Sequence, residues 1–215
     1  MNMYSRTALA AVAALTVLPT ANAAFVYVSS ARSVDLTSFG STVDSDSTAA
    51  TGSWYGSASG VTSSFNALIT QGSELASNEM TFVGAAQLDV FGSSALVGTS
   101  RADVTFLSDS TESITWITNL WRDASGGGNS ASISLMVTNV ATGSVLLAFA
   151  GPALGSGSFD VAAGSTYRVQ LVATATGASA GDALSNYNLG FFSTVPAPGA
   201  IALLGLAALV ARRRR

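Results

Sequence analysis

From residue 130 onward, apolar side chains recur at every second position, and this spacing restricts the chain more than any other feature it has. In SASISLMVTNV (130–140), Ile133, Leu135 and Val137 point one way and Ser132, Ser134 and Thr138 the other. An alternation of period two places one face of an extended strand on a core and the other in water. A turn around Ala141, Thr142 and Gly143 leads into a returning run, Val145 to Phe149, which predicts a hairpin. Phe159 and Val161 precede a turn at Ala163, Gly164 and Ser165. Tyr167, Val169 and Leu171 then alternate with Arg168 and Gln170, and Tyr187, Leu189 and Phe191 share one face of SNYNLGFFS. Upstream, FVYVSS, TFVGAAQLDVFG, ADVTFLS and SITWITNLW are rich in the β-branched and aromatic residues that fit a pleated, half-buried surface. Many short strands separated by Gly/Ser turns predict one all-β domain over residues 24–193, an antiparallel β-sandwich with a jelly-roll-like order. Two segments depart from the alternation. SSFNALITQGSELA (63–76) reads as a helical turn, and parts of Asp35 to Gly60, crowded with Ser, Thr, Gly and Ala, read as a long loop.

Charge separates the body from the two ends. Charged residues are only 10% of the 215-residue chain, and its nine basic residues are all arginine. Five of them lie at the ends, leaving four arginines against twelve acids between Ala24 and Val195, a net charge of −8. Such a body repels nucleic acid, so no DNA or RNA partner is expected. With no cysteine there are no disulfides and no thiolate metal site. With no histidine, Ser-His-Asp catalysis and zinc chemistry are excluded. No motif calls for a cofactor.

The head, MNMYSRTALAAVAALTVLPTANAA, has Arg6 before an apolar run from Ala8 to Leu18, with Pro19 to break it. Ala21 and Ala23 fit the small-x-small rule of signal peptidase, so residues 1–23 read as a signal peptide and Ala24 as the first mature residue. At the other end, Gly199 to Ala211 is wholly apolar. As a helix it covers about 20 Å, short of a ~30 Å bilayer core, and it spans with local thinning or snorkelling at modest cost. Arg212, Arg213, Arg214 and Arg215 then stay on the cytoplasmic side, a stop-transfer end to an exported chain. A single short transmembrane helix is thus expected, with the membrane as a partner.

Residues 195–215, VPAPGAIALLGLAALVARRRR, resemble a PEP-CTERM sorting domain, the C-terminal signal of many exported proteins of Gram-negative bacteria. The motif falls on Val195, Pro196, Ala197, Pro198 and Gly199, the helix on Ala200 to Ala211, and the basic end on Arg212 to Arg215. The resemblance covers about a tenth of the chain. It implies recognition by an exosortase, a membrane cysteine enzyme, and cleavage near the Pro-x-Pro motif. The protein would be held in the membrane for a time and then reach the cell envelope or the extracellular polymer matrix. Family members usually carry Glu where this chain has Ala197, so an enzyme that reads that carboxylate does not find it here. The two prolines forbid helix and strand hydrogen bonding and keep the motif extended.

Within the body, candidate chemistry is sparse. Asp44 and Asp46, with Asp35 nearby, are oxygen ligands of the kind Ca²⁺ takes, but the EF-hand spacing is absent and a solvated acidic loop is the plainer reading. In ITWITNLWRDASGGGNS, Trp116 and Trp121 stand beside Arg122, Asp123 and Asn129, and Trp54 and Tyr55 add a second aromatic pair. Exposed aromatics among polar groups grip sugar rings; buried ones fill a core, the commoner use. Gly126 to Gly128 is no phosphate cradle, since no lysine exists to serve one, and it reads as a hairpin loop. Glycoside hydrolysis needs only two facing carboxyls, for which Asp89, Asp103, Asp109, Glu112 and Asp123 are candidates with nothing to pair them. The expectation is an exported, non-catalytic protein with a structural or adhesive role in the envelope or exopolysaccharide. A carbohydrate-binding module is the alternative, and a secreted glycan hydrolase comes third.

Overall fold

The structure, a computed structural model, describes residues 25–193. The signal peptide with its cleavage residues, and the whole sorting tail from Val195, lie outside the described residues. Within them the chain forms twelve strands and no helix. They are β1 (Phe25–Ser38), β2 (Ser41–Thr48), β3 (Trp54–Val61), β4 (Phe65–Leu75), β5 (Glu79–Val90), β6 (Leu96–Ser108), β7 (Glu112–Ala124), β8 (Ser130–Asn139), β9 (Val145–Ala150), β10 (Ala153–Val161), β11 (Thr166–Gly177) and β12 (Gly181–Ser193).

Two six-stranded antiparallel sheets stack face to face as a sandwich. The first runs β2-β1-β6-β11-β8-β9 and the second β10-β7-β12-β5-β4-β3. The last eight strands pair in nested fashion: β5 with β12, β6 with β11, β7 with β10, and β8 with β9. The hairpin β1–β2 widens one sheet beyond β6, and β3–β4 widens the other beyond β5. The β1–β2 hairpin turns at Phe39 and Gly40, both at positive φ, as a type I′ turn requires.

The alternation read from residues 130–193 holds. Ile133, Leu135, Val137, Tyr167, Val169, Leu171, Tyr187, Leu189 and Phe191 are all buried. Each such side chain contributes roughly 1.5–3 kcal/mol on leaving water. The hairpin around Gly143 is the β8–β9 connection, closed by the Asn139 N–H donating to the Ser144 carbonyl at 2.9 Å. Three expectations need correction. Residues 65–75 are strand β4, not a helical turn. Phe65, Leu68 and Ile69 mimic helical spacing, but the inward row is Phe65, Ala67, Ile69, Gln71, Ser73 and Leu75, while Leu68 faces water. The Asp35–Gly60 region is not a long loop; it holds the end of β1, all of β2 and most of β3. The small inward residues of β3, Gly56, Ala58 and Gly60, hide its alternation. Finally, Gly126 to Gly128 is not in a hairpin: β7 and β8 belong to different sheets, and this loop crosses between them.

The interior is two apolar clusters with a polar seam between them. The larger gathers Phe25, Phe82, Phe106, Leu135, Tyr167, Leu171 and Phe191; the smaller gathers Leu36, Ala58, Ile69, Ala86, Leu88, Leu96 and Ala175. In the seam, the Tyr187 and Ser100 hydroxyls meet at 2.6 Å. The Ser185 hydroxyl donates to the Thr174 and Ser132 carbonyls, at 2.8 and 2.9 Å. With its amide turned to face them, Gln71 donates to the carbonyls of Arg101 and Ser33. Arg32, only 1% exposed, donates to the Ser73 hydroxyl at 2.7 Å, to the Gly52 carbonyl at 3.0 Å and to the Ala50 carbonyl. Its guanidinium carbon lies 5.6 Å from the ring centre of Trp54. Burial lowers the Arg32 pKa and pushes the Tyr187 phenol well above its usual value.

Candidate functional site

Of the sequence candidates, Trp121, Tyr55, Asp89 and Asp123 lie on the outer face of the β10–β3 sheet. On β7, the inward residues Ile114, Thr118 and Leu120 are buried, and the outward residues Ile117, Asn119, Trp121 and Asp123 are exposed. Strand register extends each outward side chain into a row across the sheet. Trp121 aligns with Asn186, Ala85, Thr70 and Ser57. The neighbouring row carries Asn119, Asn188, Val83, Gly72 and Tyr55. On the other side lie Asp123, Leu184, Gln87, Leu68 and Ser59.

Two depressions lie along β7 and β12. One, about 250 Å³, is lined by Gln87, Asp89, Trp121, Asp123, Asp182 and Leu184, among others. The other, about 350 Å³, is lined by Ile117, Asn119, Leu154, Ser156 and Asn188 with their neighbours. The first depression has a braced rim. Asn129 donates to the Ser125 carbonyl at 2.7 Å and the Ser179 carbonyl at 3.1 Å, and its Oδ1 accepts from the N–H groups of Ala178 and Ser179. One side chain thus ties the β7–β8 crossing to the β11–β12 turn. Gly126 and Gly181 sit at positive φ, with the Ala180 and Ser125 carbonyls where a Cβ would go, so only glycine fits there. Asp89 accepts from Gln87 Nε2 at 3.3 Å and Asn66 Nδ2 at 3.4 Å, and the Ala124 N–H donates to Asp123 at 2.9 Å.

The tryptophans divide. Trp121 is 47% exposed and presents its ring among amide and carboxylate groups. Trp116 faces inward, 5.5 Å from Phe149 in an edge-to-face contact, with its ring over Gly155 and Gly157 of β10. Trp54 is taken up by Arg32, while Tyr55 is exposed at the far side of the same face. Trp121 and Tyr55 stand four strand spacings apart, about 19 Å.

The carboxylates also divide. Asp89 and Asp123 meet in the first depression together with Asp182, which sequence reasoning had not singled out. Asp103 lies on the other sheet in a two-pronged pair with Arg168, whose Nε donates at 2.7 Å. Glu112 accepts from the hydroxyls of Ser110 and Ser193. Asp44 and Asp46 lie on strand β2, and Asp44 accepts the Ser59 N–H of β3 at 2.8 Å. Among the described residues no group of three ligating side chains is placed to hold a metal ion. The amides Asn119, Asn186 and Asn188 were missed as well. Their signal was their place on the outward side of strands whose inward partners are apolar, which shows only once Trp121 is known to face the same way.

Compared with protein-family models and with curated proteins, the chain matches none.

Proposed function

We propose that this chain is an exported, non-catalytic protein of the cell envelope or extracellular polysaccharide, and that it holds glycan on the outer face of the β10–β3 sheet. The observation that carries this reading is Trp121. Turning a large aromatic ring half into water costs hydrophobic burial, and here the ring stands over a braced depression among Gln87, Asn186 and three carboxylates. A flat ring takes the C–H face of a sugar while amide and acid groups take its hydroxyls. Asn119, Asn188, Thr70 and Tyr55 continue the same chemistry along the face. The nested pairing of β5 to β12 supports a jelly-roll-like order, an architecture found in lectin domains, and it bears on the glycan reading by analogy only.

Delivery is the second part of the proposal. The head is removed by signal peptidase, and the tail at residues 195–215 is read by an exosortase-type enzyme, with Ala197 in place of the family's usual Glu. Tryptophan fluorescence tests the binding half directly, because Trp121 is the most exposed of the three tryptophans. Titration with host exopolysaccharide is expected to shift the emission, and Trp121→Ala to abolish the shift while Trp116 still reports an intact core. No response across a broad glycan panel defeats the glycan reading, and release of new reducing ends defeats the non-catalytic one. For the tail, deleting residues 195–215 is expected to send the protein into the medium. Unchanged retention would show that the tail is not the sorting signal.

A further inference from the structure

The two sheets leave four edge strands, at two margins, and the margins differ. At one, β2 packs against β3. Asp44 and Asp46 place charge on the β2 edge, Asp44 takes up the outward Ser59 N–H of β3, and Arg32 ties down the carbonyls of Ala50 and Gly52 in the connecting loop. These are the devices that keep a sheet edge from pairing with another chain. At the other margin, β9 and β10 barely meet, and β9 reads VLLAFA, without charge or proline.

The backbone of β9 is open on one side. Gly151 N–H donates to the Ile133 carbonyl at 2.8 Å, and Leu147 and Phe149 stand opposite Val137 and Leu135 of β8. In an antiparallel ladder alternate residues aim both backbone groups at the same neighbour. Leu147 and Phe149 therefore point theirs at β8, and Ala148 and Ala150 point theirs outward. Leu146, Leu147 and Phe149 pack on the core, whereas Val145 and Leu154 at this margin are 56% and 86% exposed.

Charge selects the occupant. The body carries −8 overall, yet residues 124–159, all of β8 and β9 and most of β10, contain no charged side chain. Two copies that pair along β9 therefore bring no carboxylate of β8 or β9 against another. We propose that β9 is a self-association edge: two copies of this chain pair antiparallel through it about a two-fold axis, joining their six-stranded sheets into one continuous sheet. The interface is isologous, so it closes at two copies. This goes beyond the glycan reading and does not depend on it, because it uses the opposite sheet and no ligand.

The natural absence of cysteine makes the test clean. Single-cysteine variants of the full chain, held in non-ionic detergent, are oxidised mildly. Ala148→Cys, which faces its own copy when the two-fold axis passes near the middle of β9, is expected to give a disulfide-linked dimer, because facing Cα atoms across a hydrogen-bonded antiparallel pair lie about 5.5 Å apart, within disulfide reach, and Ser45→Cys on the guarded edge is not. Without oxidant, the unsubstituted chain is expected to sediment at twice its chain mass, and Ala148→Pro, which removes an outward donor that no intrachain bond uses, at the mass of one chain. Should Ala148→Pro fail to fold by circular dichroism, Ala148→Lys takes its place. Three results overturn the proposal: a single-chain mass for the unsubstituted protein, cross-linking at Ser45→Cys equal to that at β9, or a dimer that survives both Ala148→Pro and Ala148→Lys. The last would place the contact elsewhere, including on the tail.

Discussion

The margin at β2 and β3 and the margin at β9 and β10 solve one problem in opposite ways. Both end a pair of stacked sheets. The first is closed by polar chemistry directed at the backbone: a buried guanidinium on loop carbonyls and a carboxylate on a strand N–H. The second is closed mainly by packing, with the Trp116 ring laid over two glycines and against Phe149, and with one guanidinium, Arg122, on the Ala131 carbonyl beyond the end of β9. Packing fills space but satisfies no backbone group. An edge finished mainly by packing keeps its outward backbone groups competent to pair.

The contrast can be broken most severely at Arg32. Arg32→Ala leaves the carbonyls of Ala50 and Gly52 and the Ser73 hydroxyl without their donor and opens a cavity beside Trp54. A loss of about 3–5 kcal/mol is expected in urea unfolding, enough to abolish folding in a marginal domain. On the other margin, Gly157→Ala places a Cβ 2.8 Å from Trp116 Cζ2, so the ring must shift. About 1–3 kcal/mol of destabilisation is expected there, with an altered tryptophan emission. Equal losses from the two substitutions would erase the distinction between polar and packed closure.

Alkaline pH sharpens the contrast further. Burial raises the phenols of Tyr27 and Tyr187, the first opposed by the nearby positive charge of Arg32, and both lie outside the uncharged 124–159 stretch. In the unfolded chain these groups ionise near pH 10, as free tyrosine does, while in the fold they keep their protons. The unfolded state then binds fewer protons, so stability is complete below pH ~10 and declines above it, by up to about 1.4 kcal/mol per pH unit for each tyrosine. Tyr27→Phe is expected to lower that slope in unfolding measured between pH 9 and 11; an unchanged slope would remove Tyr27 from the account. The smallest effect belongs to Asp44→Ala, which frees the Ser59 N–H at the cost of about 1 kcal/mol. Its more telling readout is sedimentation, where new association through β3 is expected as the guard is lost.

The sequence made the later strands legible because their inward rows are purely apolar: Ile133, Leu135 and Val137, or Tyr167, Val169 and Leu171. It concealed β4 because Gln71 and Ser73 occupy inward positions, and nothing local says that Arg32 and distant carbonyls satisfy them. It concealed β3 because Gly56, Ala58 and Gly60 are inward but too small to register as apolar. The candidate site was half visible. Two tryptophans five residues apart in a strand point to opposite faces, yet only the sheet order decides which face is core. Asp182 joins Asp89 and Asp123 through pairings that bridge long stretches of chain, and no local pattern encodes those.

The nested order has a kinetic consequence. Strand β12 lies in the middle of its sheet, hydrogen-bonded to β7 on one side and β5 on the other, although among the described residues it is the last strand in chain order. Until Gly181–Ser193 arrives, β5 and β7 have no neighbour between them, and the loop to be closed spans most of the domain. Contacts so distant along the chain slow the search for the native state. A chain built this way stays pliable until Gly181–Ser193 inserts between β5 and β7, and only then does its sheet lock.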